Sequence, residues 1–179
     1  MKFNDYGLEL IKVYERLRLT SYQDFGGIWT IGWGHISDKY FTVSPNQTID
    51  LAKAEELIAY DIQEDAISLL NRELLYENML NDNQYSALVS LVYNSGSFKI
   101  KREGKWIASP LMTALNEKRF GDASDLILTH DITVNGQQLL GLRRRRLAEH
   151  LLYNSIIDEL APVEWAKWVY REVQKRLTA

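Results

Sequence analysis

The segment from Glu15 to His35 constrains this fold more than any other part of the chain, because a helical pattern changes there to a strand pattern. Apolar residues recur at helical spacing over residues 4–17, which places Glu15 near the end of a helix. The residues that follow are rich in Tyr, Trp, Thr and Ile, and they predict a small antiparallel sheet with a hairpin turn at the glycines 26–27. Two elements that meet at an angle would form the wall of a cleft.

Three polar residues of this segment have the chemistry for breaking a glycosidic bond. That reaction uses one protonated and one ionised carboxyl group on either side of the bond. Glu15 lies at the edge of the apolar helix face, where partial burial favours the protonated form, so it is the candidate general acid. Asp24 is the candidate for the ionised carboxyl group, and Thr30 follows six residues after it. Taken singly, the three residue types indicate instead a surface ion pair, an Asx turn and an ordinary strand residue.

The rest of the chain predicts mainly helices. Asp50 can cap a long helix at 51–72, which could connect two lobes. Turn and cap patterns predict the later elements. In the first half of this region we expect a helix at 81–96 that begins with a capping box, a basic loop or hairpin at 97–108, and helices at 110–118 and 121–128. A hairpin at Asn135-Gly136 and helices at 142–154 and 163–177 follow. The predicted fold class is α+β, with a small N-terminal antiparallel sheet lobe and a larger helical lobe.

Composition excludes several classes of function. The chain has no cysteine, and its three histidines lack metal-binding spacing, so we expect no metal and no cofactor. The net charge of −3 does not indicate the basic surface that nucleic-acid binding proteins usually have. The N-terminus lacks the features of a signal peptide, and no apolar run is long enough for a transmembrane segment. We therefore expect a soluble protein made in the cytoplasm.

Three stretches in a fixed order carry a resemblance to a known family. Glu15, Asp24 and Thr30 are separated by eight and then five residues, and Ile-Gly-Trp-Gly-His follows directly. The stretch Ala-Leu-Val-Ser-Leu-Val-Tyr-Asn-Ser-Gly fills residues 87–96, and Gly-Leu-Arg-Arg-Arg-Arg-Leu-Ala-Glu fills residues 141–149. Together they resemble the motifs of the phage-type lysozymes, the endolysins of glycoside hydrolase family 24. The likeness covers roughly residues 5 to 153.

The resemblance implies a lysozyme-like fold that hydrolyses the β-1,4 bond between N-acetylmuramic acid and N-acetylglucosamine in peptidoglycan. The resemblance implies that Glu15 is the catalytic acid, that Asp24 activates a water molecule and that Thr30 holds this water. It also implies sugar contact for Asn94. The implied domains are a catalytic domain at 1–154 and a helical extension at 155–179. Within the former lie a β-lobe at 18–46, a connecting helix at 51–72 and a helical lobe at 81–154. A monomeric endolysin of this kind would stay in the host cytoplasm until a holin releases it to the wall in the periplasm.

Four further residues are expected to support the site. His35 is interpreted as structural, paired with an acid on the long helix for which Asp61 is the best candidate. Arg144 or Arg145 should reach Glu15 or its helix, and the remaining arginines of that run are interpreted as a solvated face. Arg16 departs from the family pattern, since glycine usually follows the catalytic glutamate.

The C-terminal helix allows two interpretations. Lys167, Arg171 and Lys175 recur at helical spacing near Trp165 and Trp168, which would suit weak contact with an anionic membrane or lipopolysaccharide. The alternative, which we prefer, is a helix docked on the catalytic domain, with surface ion pairs.

Two other functions are compatible with this type of fold. A lytic transglycosylase would need only the acid Glu15, so the presence of Asp24 and Thr30 argues against it. A catalytically inactive wall-binding module would have no need to keep all three residues.

Overall fold

The structure is a computed structural model that describes residues 2–24, 26–134, 137–157 and 159–177, without the side chains of Arg102 and Val134. Its helices and strands alternate in the order that the sequence predicts, so the α+β fold class is confirmed. The turn predicted at Asn135-Gly136 lies outside the described residues.

The first helix, α1, spans Asp5–Glu15 and ends at the predicted acid. It begins where the side chain of Asn4 accepts a hydrogen bond from the backbone N–H of Gly7. Leu10 and Ile11 are fully buried and fix one face of the helix on the core. The position of Glu15 is therefore set by the packing of its own helix.

A three-stranded antiparallel sheet follows, with the order β1-β2-β3. Its strands are β1 (Arg18–Gln23), β2 (Trp29–Gly32) and β3 (His35–Ile36). The turn between β1 and β2 contains Gly27, whose φ of 78° lies in the left-handed region that favours glycine. This sheet packs around a small apolar core of Ile31, Val43 and Leu57.

The predicted long helix is present but contains a wider turn. Asp50 caps α2 (Leu51–Asp61) by accepting from the N–H of Lys53 at 2.8 Å. A π-type turn, Ile62–Ile67, then leads into α3 (Ser68–Glu73). Wider turns of this kind cluster at functional sites, and this one begins directly after Asp61.

The helical lobe is built around α4 (Asp82–Ser95), which is buried along most of its length. The predicted capping box is present, since Asn81 and Gln84 exchange side-chain and backbone hydrogen bonds. Gly96 ends the helix at a φ of 68°. The other elements of this lobe are a short 3₁₀ turn at Glu77–Met79, β4 (Lys99–Arg102), β5 (Lys105–Ala108), α5 (Pro110–Asn116), α6 (Phe120–Ile127), β6 (Thr133–Val134), β7 (Gln137–Gln138) and α7 (Leu140–Tyr153).

The last helix, α8 (Pro162–Arg176), lies against α1 and α7. Trp165 is fully buried, packs edge-to-face on Tyr6, and donates from Nε1 to the carbonyl of Ile156 at 2.8 Å. Val169 and Val173 complete the buried face. Trp165 is therefore part of the core and is not exposed to a lipid surface. Among the described residues, none of the helices has the length and hydropathy needed to cross a bilayer.

Candidate active site

Glu15 lies at the end of α1 with its side chain 24% exposed. Its Oε1 accepts a hydrogen bond from Nη1 of Arg145 on α7. Its Oε2 faces Gly34, where an added Cβ would stand 4.0 Å from that oxygen. One carboxylate oxygen is thus held by an arginine, and the other faces bare backbone at the edge of the β-lobe.

A cavity of about 430 Å³ opens in front of this carboxylate. Its walls come from the end of α1, the loop and strand at 33–38, the long helix and the end of α4, so both lobes contribute to it. Its lining residues are Glu15, Trp33, Gly34, His35, Ile36, Ser37, Asp38, Asp61, Asp65, Tyr93 and Asn94. The predicted sugar ligand Asn94 and the predicted acid Glu15 therefore share one cavity.

Arg145 belongs to a buried charge network on α7. Its Nε donates to Oε1 of Glu149 at 3.2 Å, and its Nη2 donates to the carbonyl of Ser90 at the same distance. Arg146 donates to the other oxygen of Glu149, and the Ser90 hydroxyl donates to Glu149 at 2.9 Å. Glu149 is fully buried, so its charge is balanced by these two arginines rather than by water.

Arg146 also extends the network to Asn94, because its Nη2 donates to Oδ1 of that residue. Arg146 is fully buried, so the interpretation of this part of the arginine run as a solvated face is wrong. The physical reason is the carboxylate of Glu149, one helical turn away, which compensates a charge that would otherwise need water. Glu149 thereby holds both the partner of Glu15 and the partner of Asn94.

Arg144, the other arginine predicted to contact the α1 region, does so through its backbone. Its carbonyl accepts from the hydroxyl of Tyr14 at 3.0 Å, while the hydrogen bond to the Glu15 carboxylate comes from Arg145. Burial, the largest influence, and the nearby carboxylate of Glu149 raise the pKa of Tyr14, which therefore remains a hydrogen-bond donor.

Asp24 and Thr30 lie next to the β1–β2 turn and do not line the cavity in front of Glu15. Asp24 is exposed, and its Oδ1 accepts from the N–H groups of Gly26 and Ile28 at 2.8 and 2.9 Å. This is the Asx turn that the local sequence indicates. Thr30 is buried, and its hydroxyl donates to the carbonyl of Ile28 at 3.0 Å.

Tyr22 lies near all three residues of the predicted catalytic set, Glu15, Asp24 and Thr30. It pairs with Thr30 across the sheet. Burial, the largest influence, raises the pKa of Tyr22; the nearby Arg18 opposes this change, and the negative charges of Glu15 and Asp24 add to it. The charges of both carboxylates therefore act on the same phenol.

His35 and Asp61 are in contact, with 2.8 Å between Nδ1 and Oδ1. The His35 side chain is almost fully buried, and Nε2 lies 3.3 Å from the carbonyl of Phe41. Burial by itself lowers the pKa of His35, but the hydrogen bond and the charge of Asp61 outweigh burial and raise the pKa above its usual value. The pair joins the β-lobe to the end of α2.

Sequence reasoning missed Asp65, which lines the cavity from the π-type turn. Desolvation raises the pKa of Asp65, and the charges of Asp61, Asp38 and Glu64 raise it further. It also missed Glu149. The spacing of Arg145, Arg146 and Glu149 was the available indication, since i,i+3 and i,i+4 pairs lie on one helix face.

Arg16 ends α1 in a backbone conformation that favours glycine, with φ 57° and ψ 116°. Its Nη2 lies 3.4 Å from the hydroxyl of Tyr170 on α8, and Tyr170 packs edge-to-face on Tyr14. The residue next to Glu15 is therefore in contact with the C-terminal helix. A positive φ explains why glycine is suited to this position.

A family model, two relatives and a solved structure all indicate the same family. A family model described as phage lysozyme matches residues 12–149. The endolysin of Acyrthosiphon pisum secondary endosymbiont phage 1 is 35% identical over 158 residues, covering 87% of this chain and 99% of that relative. The endolysin of Salmonella phage P22 is 36% identical over 149 residues, covering 82% and 94%. The active form of P1 phage endolysin Lyz has a similar fold at 22% identity, with a TM-score of 0.77 and 89% of each chain covered. This chain belongs to the phage lysozyme family.

Proposed function

We propose that this chain is a muramidase, a lysozyme-class glycoside hydrolase that cleaves the β-1,4 bond between N-acetylmuramic acid and N-acetylglucosamine in peptidoglycan. The observation that carries the proposal is the environment of Glu15 in a chain of the phage lysozyme family. One oxygen of this carboxyl group is held by Arg145, and the other faces Gly34 at the border of a 430 Å³ cavity. A proton donor of fixed orientation beside a cleft is what cleavage of a glycosidic bond requires.

In the proposed mechanism Glu15 donates a proton to the glycosidic oxygen as the bond to the anomeric carbon breaks. Arg145 acts as a positioning residue, because it fixes Oε1 and leaves Oε2 to carry the proton. The departing sugar takes the proton as its new hydroxyl. Water then adds to the anomeric carbon, and the proton that this water loses returns to a carboxylate.

Asp24 and Thr30 are assigned to the water molecule. Two backbone N–H groups hold Oδ1 of Asp24, which leaves Oδ2 to face the developing positive charge or the water. The Thr30 hydroxyl donates its proton to Ile28, so its oxygen can accept a hydrogen bond from that water. Asn94 would donate from its amide nitrogen to a sugar, since Arg146 occupies its oxygen.

We assign residues 1–154 to the catalytic domain, comprising a β-lobe at 18–46, a connecting helix at 51–72 and a helical lobe at 81–154. We assign residues 155–179 to a C-terminal extension, whose helix α8 packs on α1 and α7. The biological role that fits two endolysin relatives is lysis of a host cell, with a monomer reaching the wall of the periplasm through a holin. Contact with an anionic membrane or lipopolysaccharide would involve the basic side of α8, where Lys167 and Arg171 are exposed.

The products of the reaction test this proposal. Purified peptidoglycan is digested with the chain, reduced with borohydride and separated by mass spectrometry. A muramidase leaves reducing N-acetylmuramic acid ends, which the reduction converts to muramitol. Products with 1,6-anhydro ends would identify a lytic transglycosylase, and binding to the wall without soluble products would identify an inactive module. Either outcome would refute the proposal.

A further inference from the structure

Tyr170 of the C-terminal helix α8 contacts the end of α1. Its ring packs edge-to-face on Tyr14, with the ring centroids 5.4 Å apart and the ring planes at 68° to each other. Its hydroxyl lies 3.4 Å from Nη2 of Arg16. Tyr14 and Arg16 are the neighbours of Glu15 in the sequence, so Tyr170 contacts the residues on either side of the proposed acid.

Tyr14 also contacts the arginine that holds Glu15. Cζ of the Arg145 guanidinium lies 5.6 Å from the centroid of the Tyr14 ring, within the range of a cation–π contact. The Tyr14 hydroxyl donates to the backbone carbonyl of Arg144 at 3.0 Å, which fixes the ring against α7. Arg145 donates in turn to the Glu15 carboxylate. A continuous series of contacts therefore joins Tyr170 to this carboxylate.

The place of Glu15 in its helix explains why such contacts matter. Glu15 is the last residue of α1, and the next residue, Arg16, leaves the helix at a φ of 57°. The ends of helices fray more readily than their middle turns. Side-chain contacts must therefore fix the direction in which this carboxyl group points, and Tyr14 and Arg145 supply them.

We propose that Tyr170 is a positioning residue for Glu15, and that it acts through the ring of Tyr14. This ring in turn sets the position of Arg145. The inference rests on the proposed function, in which Glu15 donates the proton. The family model matches residues 12–149, which include Tyr14 and Arg145 but not Tyr170. The C-terminal extension thus contributes to catalysis from outside the matched region.

The kinetics of bond cleavage test the inference. The release of reducing ends from soluble glycan strands without cross-links gives kcat and KM for wild type, Tyr170→Leu and Tyr170→Phe. Leucine removes the ring, so we expect kcat to fall about tenfold while KM changes less than about twofold, because a misoriented acid slows the chemical step and leaves binding intact. Phenylalanine keeps the ring contact and should retain at least about half of the wild-type kcat.

Val173→Ala is the matched control, since it removes buried volume from the same helix and leaves both rings of the pair unchanged. Both Val173→Ala and Tyr170→Leu should lower the melting temperature, but Val173→Ala should keep kcat within about twofold of wild type. In a Glu15→Gln background, Tyr170→Leu should lower the residual rate less than about twofold, because the residue that it positions is absent. An equal loss of kcat in Val173→Ala, or the full tenfold loss in the Glu15→Gln background, would overturn the inference.

A measurement that needs no activity separates this inference from the proposed function. Carbon-13 NMR of a chain labelled at its glutamate carboxyl groups gives a resonance for Glu15, identified by its absence from Glu15→Gln. Tyr170→Leu should shift this resonance, and Val173→Ala should not. A wild type that releases no reducing ends, while the resonance responds to Tyr170→Leu, would refute the muramidase assignment alone. A resonance and a kcat that both stay unchanged in Tyr170→Leu, in a chain that does release reducing ends, would refute the positioning role alone.

Discussion

Arg145 on α7 donates to the carboxylate of Glu15 at the end of α1, although 130 positions separate the two residues in the sequence. The same guanidinium also donates to Glu149, which is fully buried. The orientation of the proposed acid therefore depends on a carboxylate that never contacts substrate. Changing Glu149 alone tests how far this buried network stabilises the fold.

Glu149→Gln should lower the free energy of unfolding by about 3–5 kcal/mol, because it leaves two buried arginines short of one negative charge. Urea denaturation measures this change. Glu117→Gln is the control, since Glu117 forms an exposed pair with Arg119 at 2.7 Å and should cost less than about 1 kcal/mol. Equal costs for the two variants would mean that the buried network does not stabilise the fold.

The pair of His35 and Asp61 should make stability depend on pH. The pKa of His35 is raised in the folded chain, so its contribution is full below the unfolded pKa of about 6.5 and is lost as the pH rises through the folded value. His35→Asn should therefore destabilise the chain more at pH 5.5 than at pH 9, by roughly 1–3 kcal/mol at the lower pH. We expect a smaller effect on specific activity.

His130 provides a control, because the cost of replacing it should change with pH in the opposite direction. Burial and the charge of Arg146 lower the pKa of His130, so its folded form resists protonation. The unfolded chain binds that proton more readily, and the penalty grows as the pH falls below about 6.5. The cost of His130→Asn should thus be smaller at pH 5.5 than at pH 9. If both variants show the same pH trend in chemical denaturation, the assignment of the His35 pair is incorrect.

Arg16→Gly should leave the melting temperature unchanged or raise it. Glycine removes the strain of a positive φ, a gain of about 1 kcal/mol that exceeds the loss of one exposed contact with Tyr170. The control is Arg171→Gly in the middle of α8, where glycine should cost about 1 kcal/mol. Calorimetry that shows the same loss for both variants would argue against strain at Arg16.

Trp165→Ala should lower stability by about 3–5 kcal/mol, because the indole is fully buried under α8. Trp106→Ala makes the same chemical change at an exposed position and should cost less than about 1 kcal/mol. The same variants should be tested for binding to anionic vesicles. Loss of vesicle binding by Trp165→Ala at an unchanged melting temperature would favour a membrane-bound helix over a docked one.

Local sequence patterns predicted the parts of the fold that local interactions determine. The cap at Asp50, the reciprocal capping at Asn81 and Gln84, and the left-handed Gly96 each depend on atoms within a few residues, and each is present. The turn at Asp24 belongs to the same class. Such features need no knowledge of tertiary packing.

Tertiary packing decides what the sequence could not show. A run of four arginines is typical of a solvated face, and only the position of Glu149 against α4 makes two of them buried. Asp65 reaches the cavity because a π-type turn follows α2, and no residue pattern indicated that turn. The sequence thus predicts the caps and turns near the site, but not the buried charge network of α7 or the position of Asp65 in the cavity.

The central claim is that Glu15 supplies the proton, and one kinetic comparison tests it most directly. Turbidity loss of outer-membrane-permeabilised Gram-negative cells is measured with wild type, Glu15→Gln and Glu9→Gln. The last variant makes the same change on the same helix, at a residue paired with Lys12. We predict that Glu15→Gln slows lysis at least about 100-fold while Glu9→Gln lyses at nearly the wild-type rate. Equal rates for wild type and Glu15→Gln would contradict the account.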